Sequence, residues 1–321
     1  DTTFTQTVYD EVGRVKDSID ARGTITRNTY DNAGRRTLVE TLNSQLSTLT
    51  SASFGFDANG NQTSFKDALN RTTTFVHDDL NRRTKTVFPD TTFTETIYDT
   101  LGRRVEEKDQ AAISKKFAYD ELGRLISVTD AHNGVARYSF DEVGNQLTQT
   151  DANNHTTTFA YDKMGRRISR TLPGGQVETM TYDFAGTPLT KRDFNGKITT
   201  FSHDVMNRLA EKKPDASLGQ PSVKFTYFAT GQRATMQDAV GTTTYGYDNR
   251  DRLTSKATPI GTLSYTHDAN GNVLSIQSLN ANGAQVAYTW DALNRLEKVH
   301  DARVGDTLYS YDLVGNLKDF T

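Results

Sequence analysis

Aspartate and arginine recur four residues apart along this sequence: Asp10 and Arg14, Asp31 and Arg35, Asp99 and Arg103, Asp120 and Arg124, Asp162 and Arg166, Asp291 and Arg295. A carboxylate held beside a guanidinium could serve an extended acid–base surface. It could equally close a turn and pair charges between adjacent segments. The flanking residues favour the second reading. An aromatic precedes each Asp (Tyr9, Tyr30, Tyr98, Tyr119, Tyr161 and Trp290), and Gly13, Gly34, Gly102, Gly123, Gly165 or Asn294 stands three residues after it. Glycine and asparagine tolerate a left-handed backbone, and Asp accepts backbone N–H bonds at the start of a turn. A type I turn followed by a left-handed residue is a common hairpin connection. Exposed ion pairs of this kind contribute about 0–1 kcal/mol each.

Other groups that could do chemistry are poorly placed for it. DANGN at 57–61 and 268–272 has the look of a calcium loop, but Gly60 is at the fourth position and Ala68 stands where the loop needs Glu. Three of the six His replace the repeated aromatic (His77, His203, His267), and none has metal-ligand spacing. No GxSxG, HExxH or P-loop pattern is present. The chain has no cysteine, so disulfides and thiolate metal sites are excluded. The expectation is a non-enzyme with no catalytic residue, no cofactor and no metal. The aromatics are the remaining candidates. Phe159, Tyr245, Tyr265, Tyr288 and Tyr309 could stack on sugar rings. Cross-strand packing is the stronger reading, because a glycan platform needs few rings and nearly every repeat has one.

The elements that carry these residues follow from their period. With the aromatic as anchor, copies fall at residues 9, 30, 56, 77, 98, 119, 140, 161, 182, 203, 227, 247, 267, 290 and 311, mostly 21 residues apart. A fixed period of this kind means a repeat architecture. Asp follows the anchor in 14 of 15 copies, with Phe228 the exception, and the residue two before it is aromatic in 11. Aromatic, small, aromatic is period-2 alternation, which describes a strand with one bulky face. The other half of each period, such as GRLISVTD at 123–130, is β-branched and also strand-like. A second turn signal follows it, as in DAHNG at 130–134 and DANN at 151–154. Each repeat is therefore strand, turn, strand, turn. The predicted fold is all-β: about 30 antiparallel strands in sequential hairpins, coiling into a curved sheet because strand twist has a fixed hand. The chain reads as a single array over 1–321. A longer connection is expected at 41–54, and a possible joint at 212–222, where two of the six prolines fall.

Composition agrees with a repeat array that lacks a large central core. Of 321 residues, 35% are hydrophobic, and the mean hydropathy is −0.65. A formal net charge of −3 gives no basic field for nucleic acid or anionic lipid. No run approaches the roughly 20 apolar residues needed to span a bilayer. The sequence starts without Met or a signal peptide and ends just after a repeat, so a fragment of a longer polypeptide is expected.

The phrases YDELGR, YDKMGR and YDEVGR at this period resemble the YD repeats of Rhs (rearrangement hot spot) proteins, with relatives in Tc toxins, wall-associated proteins and teneurins. The resemblance runs from Tyr9 to Asp312. It implies a spiralling sheet that forms part of a hollow β-shell. In bacterial members such a shell encloses a toxic C-terminal domain; in teneurins it serves adhesion. The partners implied are intramolecular cargo or flanking domains, and the location implied is secreted or cell-surface, bacterial by this reading. Cell-surface adhesion or carbohydrate binding is the alternative function. Rhs cores end in a DPxGL-type self-cleavage segment, and this chain contains no Asp-Pro dipeptide.

Overall fold

A computed structural model describes residues 4–321. Thirty strands and one short 3-10 turn follow one another in these residues. Within the hairpins each strand pairs antiparallel with its neighbour in sequence, as Lys116–Tyr119 does with Leu125–Thr129, and Ser127–Thr129 with Val135–Arg137. The strands are rich in Thr, Val, Ile and aromatics, residues that suit a pleated surface. The all-β class and the sequential order are as the sequence indicates.

Very little of the chain is buried. Among the described residues only Leu42, Glu178 and Thr243 are buried, and none completely. The accessible surface is 20,024 Å². A compact monomer of this mass would expose about 13,000 Å². Backbone pairing and neighbour-on-neighbour side chains therefore hold the strands, with no second layer forming a core. The chain divides into two units: one holds the residues through Glu95 together with Tyr247–Lys256 and Gly261–Thr321, the other Thr96–Gly246 and Ala257–Ile260.

Thirteen hairpins closed by a first turn carry a register shift that the sequence did not announce. Tyr119 faces Leu125, but Ala118 faces Ser127, so Ile126 is an extra residue on the returning strand. The same shift recurs at Tyr30, Tyr161 and Tyr182. A bulge increases local right-handed twist, so the repeat builds its bend into each copy.

One of the two irregular segments resolves differently from its sequence reading. The connection expected at 41–54 is mostly strand. Arg36–Leu42 and Thr48–Phe56 are 7 and 9 residues long and are joined by the usual tight turn, with Leu46 at φ 63°. The run of Thr, Leu and Ser there satisfies its backbone groups by lengthening a hairpin. In the 212–222 segment, the 3-10 turn Ala216–Leu218 is capped by Asp215. Asp215 also accepts the amide of Ile198 at 2.9 Å, and Lys197 donates to the Ser217 hydroxyl at 2.7 Å.

Candidate functional site

The turn at 120–124 shows how one repeat is fastened to the next. The Asp120 amide donates to the Arg124 carbonyl and the Gly123 amide to the Asp120 carbonyl, both at 3.0 Å. Gly123 has φ 79°, the left-handed region its residue type permits. One Asp120 carboxylate oxygen accepts the amides of Leu122 and Arg124, at 3.0 and 2.9 Å; the other accepts Arg124 Nε at 2.7 Å. The ion pair is thus made inside the turn.

The link between repeats uses the rest of the guanidinium. Arg124 Nη1 donates to the Asp141 carbonyl at 2.6 Å, and the group lies 5.0 Å over the Phe140 ring. Asp141 and Phe140 belong to the next repeat. Arg35 reaches Asp57 and Phe56 in the same way, Arg103 reaches Asp120 and Tyr119, Arg166 reaches Asp183 and Tyr182, and Arg295 reaches Asp312 and Tyr311. Arg14 lies over Tyr30 at 4.6 Å. The repeated Asp and Arg columns thus pair within one turn, not between adjacent repeats as the sequence suggests. A carboxylate four residues away is nearer than any in the neighbour, so the neighbour supplies a carbonyl and a ring instead.

The anchor aromatics return the connection. Tyr30, Tyr119, Tyr182 and Tyr311 donate their hydroxyls to the carbonyls of Val15, Arg104, Arg167 and Leu296, at 2.8–2.9 Å. Trp290 does the same with Nε1, to Val273 at 2.8 Å. Each acceptor lies six residues after the preceding anchor, at the bulge. Tyr9, Tyr98 and Tyr161 hold equivalent strand-end positions, at the ends of Gln6–Tyr9, Phe93–Tyr98 and Thr156–Tyr161. Gly13, Gly34, Gly102 and Gly165 have φ of 85°, 80°, 82° and 74°, and Asn294 has 58°. Asp10, Asp31, Asp99, Asp162 and Asp291 each bind the arginine four residues on, at 2.6–2.7 Å.

Bonds of this kind hold the Asp31 and Asp78 carboxyls below the usual range. At Asp78 the Arg82 guanidinium is the main cause; at Asp31 it is the Arg35 amide. At Asp248 partial desolvation pushes the carboxyl up, but the amides of Arg252 and Arg250 and the Arg252 guanidinium outweigh it and hold it at about 2. The Asp–Arg columns are thus consumed by the turns. Among the described residues no three His, Cys, Asp or Glu are grouped to hold a metal.

The five aromatics considered for sugar stacking are all half-buried. Tyr265, Tyr288 and Tyr309 lie opposite Ile276, Val299 and Phe320, and Arg233 lies 5.9 Å over Tyr245. Phe159 lines a cavity of about 480 Å³.

In the first unit, hairpins far apart in sequence meet edge to edge. Arg22 donates to the carbonyls of Asp291 and Trp290, at 2.9 and 3.1 Å, and stands 3.8 Å from the Asp268 carboxylate. Asn270 donates to Asp20, Thr24 to the Ala292 carbonyl and Thr50 to the Leu313 carbonyl, at 2.8–3.2 Å. Nothing in a sequence period marks Arg22: Arg303 holds the same place in the second turn at Asp301, and there it binds its own Asp301.

Comparison with known proteins agrees with this geometry. Residues 49–190 match the teneurin YD-shell family, and residues 9–43 and 267–303 match the RHS repeat. No curated protein matches the chain. A crystal structure of TcdB2-TccC3 superposes on 98% of the chain with a TM-score of 0.80 at 18% identity. One of TcdB2-TccC3 without its hypervariable C-terminal region does so with a TM-score of 0.79, also at 98% coverage and 18% identity. The chain covers 22% and 21% of those chains, about a fifth of their length. No helix among the described residues is long and apolar enough to cross a membrane. Over these segments the chain is similar to the teneurin YD-shell and RHS-repeat families, and it has the β-sheet fold of the TcdB2-TccC3 structures.

Proposed function

We propose that this chain is structural wall: a YD-repeat shell segment of an exported protein, enclosing or presenting a toxin or effector domain carried on the same polypeptide. The observation that carries this reading is the single-layered sheet. Its carboxylates are spent on closing turns, and its guanidiniums and anchor hydroxyls on joining one hairpin to the next. Such a sheet has little core and much face, which suits a partition between two spaces. Containment needs no reacting group: paired backbone and closely set side chains exclude proteases and keep a cargo from its target. The matched structures include TcdB2-TccC3-TEV, TcdB2-TccC3-Cdc42 and TcdB2-TccC3 without its hypervariable C-terminal region. A fold found with and without that region suits a wall indifferent to its contents. The adhesive, carbohydrate-binding reading has a narrower base, since the five candidate rings are all half-buried.

Limited proteolysis of the full-length protein tests the proposal. A domain beyond this segment should resist protease while the array is intact and become cleavable once the array is unfolded. Equal cleavage in both states would refute enclosure.

A further inference from the structure

One column of the sheet changes character within the second unit. The residue opposite the bulky side chain two before the anchor is Phe65, Val128, Met236, Ile276, Val299 or Phe320 in other repeats. In three consecutive repeats it is a cation. Arg170 lies opposite Phe159, Lys191 opposite Met180 and Lys212 opposite Phe201. Arg170 is the one that stands in the cavity of about 480 Å³. On its other side it faces Glu178, a buried carboxylate that Lys191 Nζ already engages at 2.6 Å.

The donors around this cavity are unspent, whereas those of the turns answer one another. Among the described residues the Arg170 guanidinium has no hydrogen-bond or ion-pair partner, and the Gln149 amide and Thr157 hydroxyl are not bonded within the protein. Arg170 instead lies 5.4 Å over the Phe194 ring. Arg167 lies 5.9 Å over Phe159 and 3.8 Å from Glu178, beyond hydrogen-bond reach. A ring takes the face of a guanidinium and leaves its in-plane N–H groups free. These donors come from three adjacent strands, Gln146–Thr150, Thr156–Tyr161 and Arg167–Thr171. The one carboxylate of the lining is Asp151, against two guanidiniums. It is already engaged: one oxygen accepts the amides of Asn153 and His155 at 2.9 Å, and the other meets His155 Nδ1 at 3.2 Å. In a chain of net charge −3 this is a local positive excess.

We propose that this cavity binds a small phosphate monoester, its phosphate held by Arg170, Arg167, Thr157 and Gln149 and its organic group against Phe159 and Pro173. The donor set selects the anion. A phosphate ester carries about −1.5 to −2 charge near pH 7 and has three strong acceptor oxygens, so it takes donors from three strands at once. A carboxylate has two coplanar oxygens, which a single guanidinium fork uses up, leaving Gln149 and Thr157 unanswered. Arginine, planar and weakly hydrated, is the cation best suited to phosphate. The cavity is of a size usual for small-molecule sites. This inference goes beyond the shell reading and does not rest on it.

Calorimetric titration of the chain with phenyl phosphate, at about pH 7.5 where the ester is mostly a dianion, is the test. Saturable binding at one site is expected, with benzoate bound about tenfold more weakly. R170Q should weaken phenyl phosphate about tenfold. R170K, which keeps the charge but loses the fork, should recover only part of that loss. Q149A and T157V change strands that do not face buried Glu178, so the result does not hinge on how R170Q folds; each should weaken binding about threefold. R192Q, which removes a charge on a strand outside the cavity, should leave it unchanged. Inorganic phosphate should bind more weakly than the ester, and equal binding would overturn the role given to Phe159 and Pro173. No saturable binding of phenyl phosphate in the millimolar range would overturn the proposal. So would equal binding of benzoate, or a loss in R192Q equal to that in R170Q.

Discussion

At Asp120–Arg124 and at Asp130–Gly134 the chain reverses with the same hydrogen bonds. In each, the Asp amide donates to the carbonyl four residues on, and the residue before that acceptor donates to the Asp carbonyl. In each, one carboxylate oxygen accepts two amides. The left-handed position is Gly123 in the first turn and Asn133, at φ 64°, in the second. What differs is the next residue. Arg124 reaches out of its turn to the neighbouring repeat; Gly134 has nothing to reach with. Arg71, the arginine at the matching place in another second turn, binds its own Asp67 at 2.8 Å. The neighbour's anchor aromatic lies at the first-turn end of the strands, so only a first-turn arginine can lie over it. Where the first turn carries this arginine, that edge of the hairpin is stitched to the next. The other is left to vary, and in the first unit Asp20, Arg22 and Thr24 use that freedom to grip hairpins some 250–270 positions away.

Acid is the broadest way to break both edges. A carboxyl whose folded value lies below its ordinary 3.8 stabilises the fold fully above that ordinary value. Its contribution disappears as pH falls through the lowered value, which reaches about 2 at Asp215, Asp248 and Asp301. Melting temperature should hold steady down to about pH 4 and then fall towards about pH 2. Because most turns contribute, the drop should exceed that of any single substitution. The turn at Phe228 keeps the backbone pattern without a carboxylate. Amide exchange at Gly231 should therefore respond to acid less than at Gly123. Equal response would remove the carboxylates from the account.

Gly123→Val attacks one stitched turn directly. A β-branched residue at φ 79° carries strain of about 1–3 kcal/mol, so the melting temperature should drop clearly. Asn133→Gly at the unstitched turn removes no stitch and permits the same φ, so little change is expected. Unchanged melting of Gly123→Val would sink the turn assignment.

Arg124→Ala against Arg71→Ala measures the stitch itself. Arg124 loses a carboxylate, a carbonyl and a ring together; a charged hydrogen bond of this kind and a cation–π contact contribute about 1.5–3 and 0.5–1 kcal/mol. Arg71 is half-exposed and loses an ion pair of about 0–1 kcal/mol. Arg124→Lys should fall between, since a point charge cannot fork towards both acceptors. Urea unfolding that ranked Arg71 with Arg124 would erase the distinction between the edges.

The period, the Asp and Gly columns and the strand alternation were legible because each is a local property copied many times. Three other features were not. The extra residue at each bulge hides in a constant spacing. The reach of Arg124 depends on which end of the next strand bears the aromatic. The run of Thr and Ser at 41–54 is ambiguous between loop and strand until the partner strand is known. The cations Arg170, Lys191 and Lys212 stand 21 residues apart in plain view. Only the register shows that they replace an otherwise largely apolar column.

The finest test concerns the anchor hydroxyl. Tyr119→Phe keeps the ring beneath Arg103 and removes only the donor to the Arg104 carbonyl. Two outcomes are physically distinct. If the ring alone matters, Phe140, a natural Phe anchor under Arg124, shows that the stitch tolerates the change. If the bulge carbonyl needs a donor, the loss is about 0.5–1.5 kcal/mol. Because Tyr119 is partly exposed, water can replace the hydroxyl, and the lower end of that range is expected. Infrared spectra should then show the Arg104 carbonyl, isotope-labelled, shifting towards its hydrated frequency. A carbonyl that did not shift would mean that the bulge never depended on the tyrosine, leaving the arginine as the stitch at that edge.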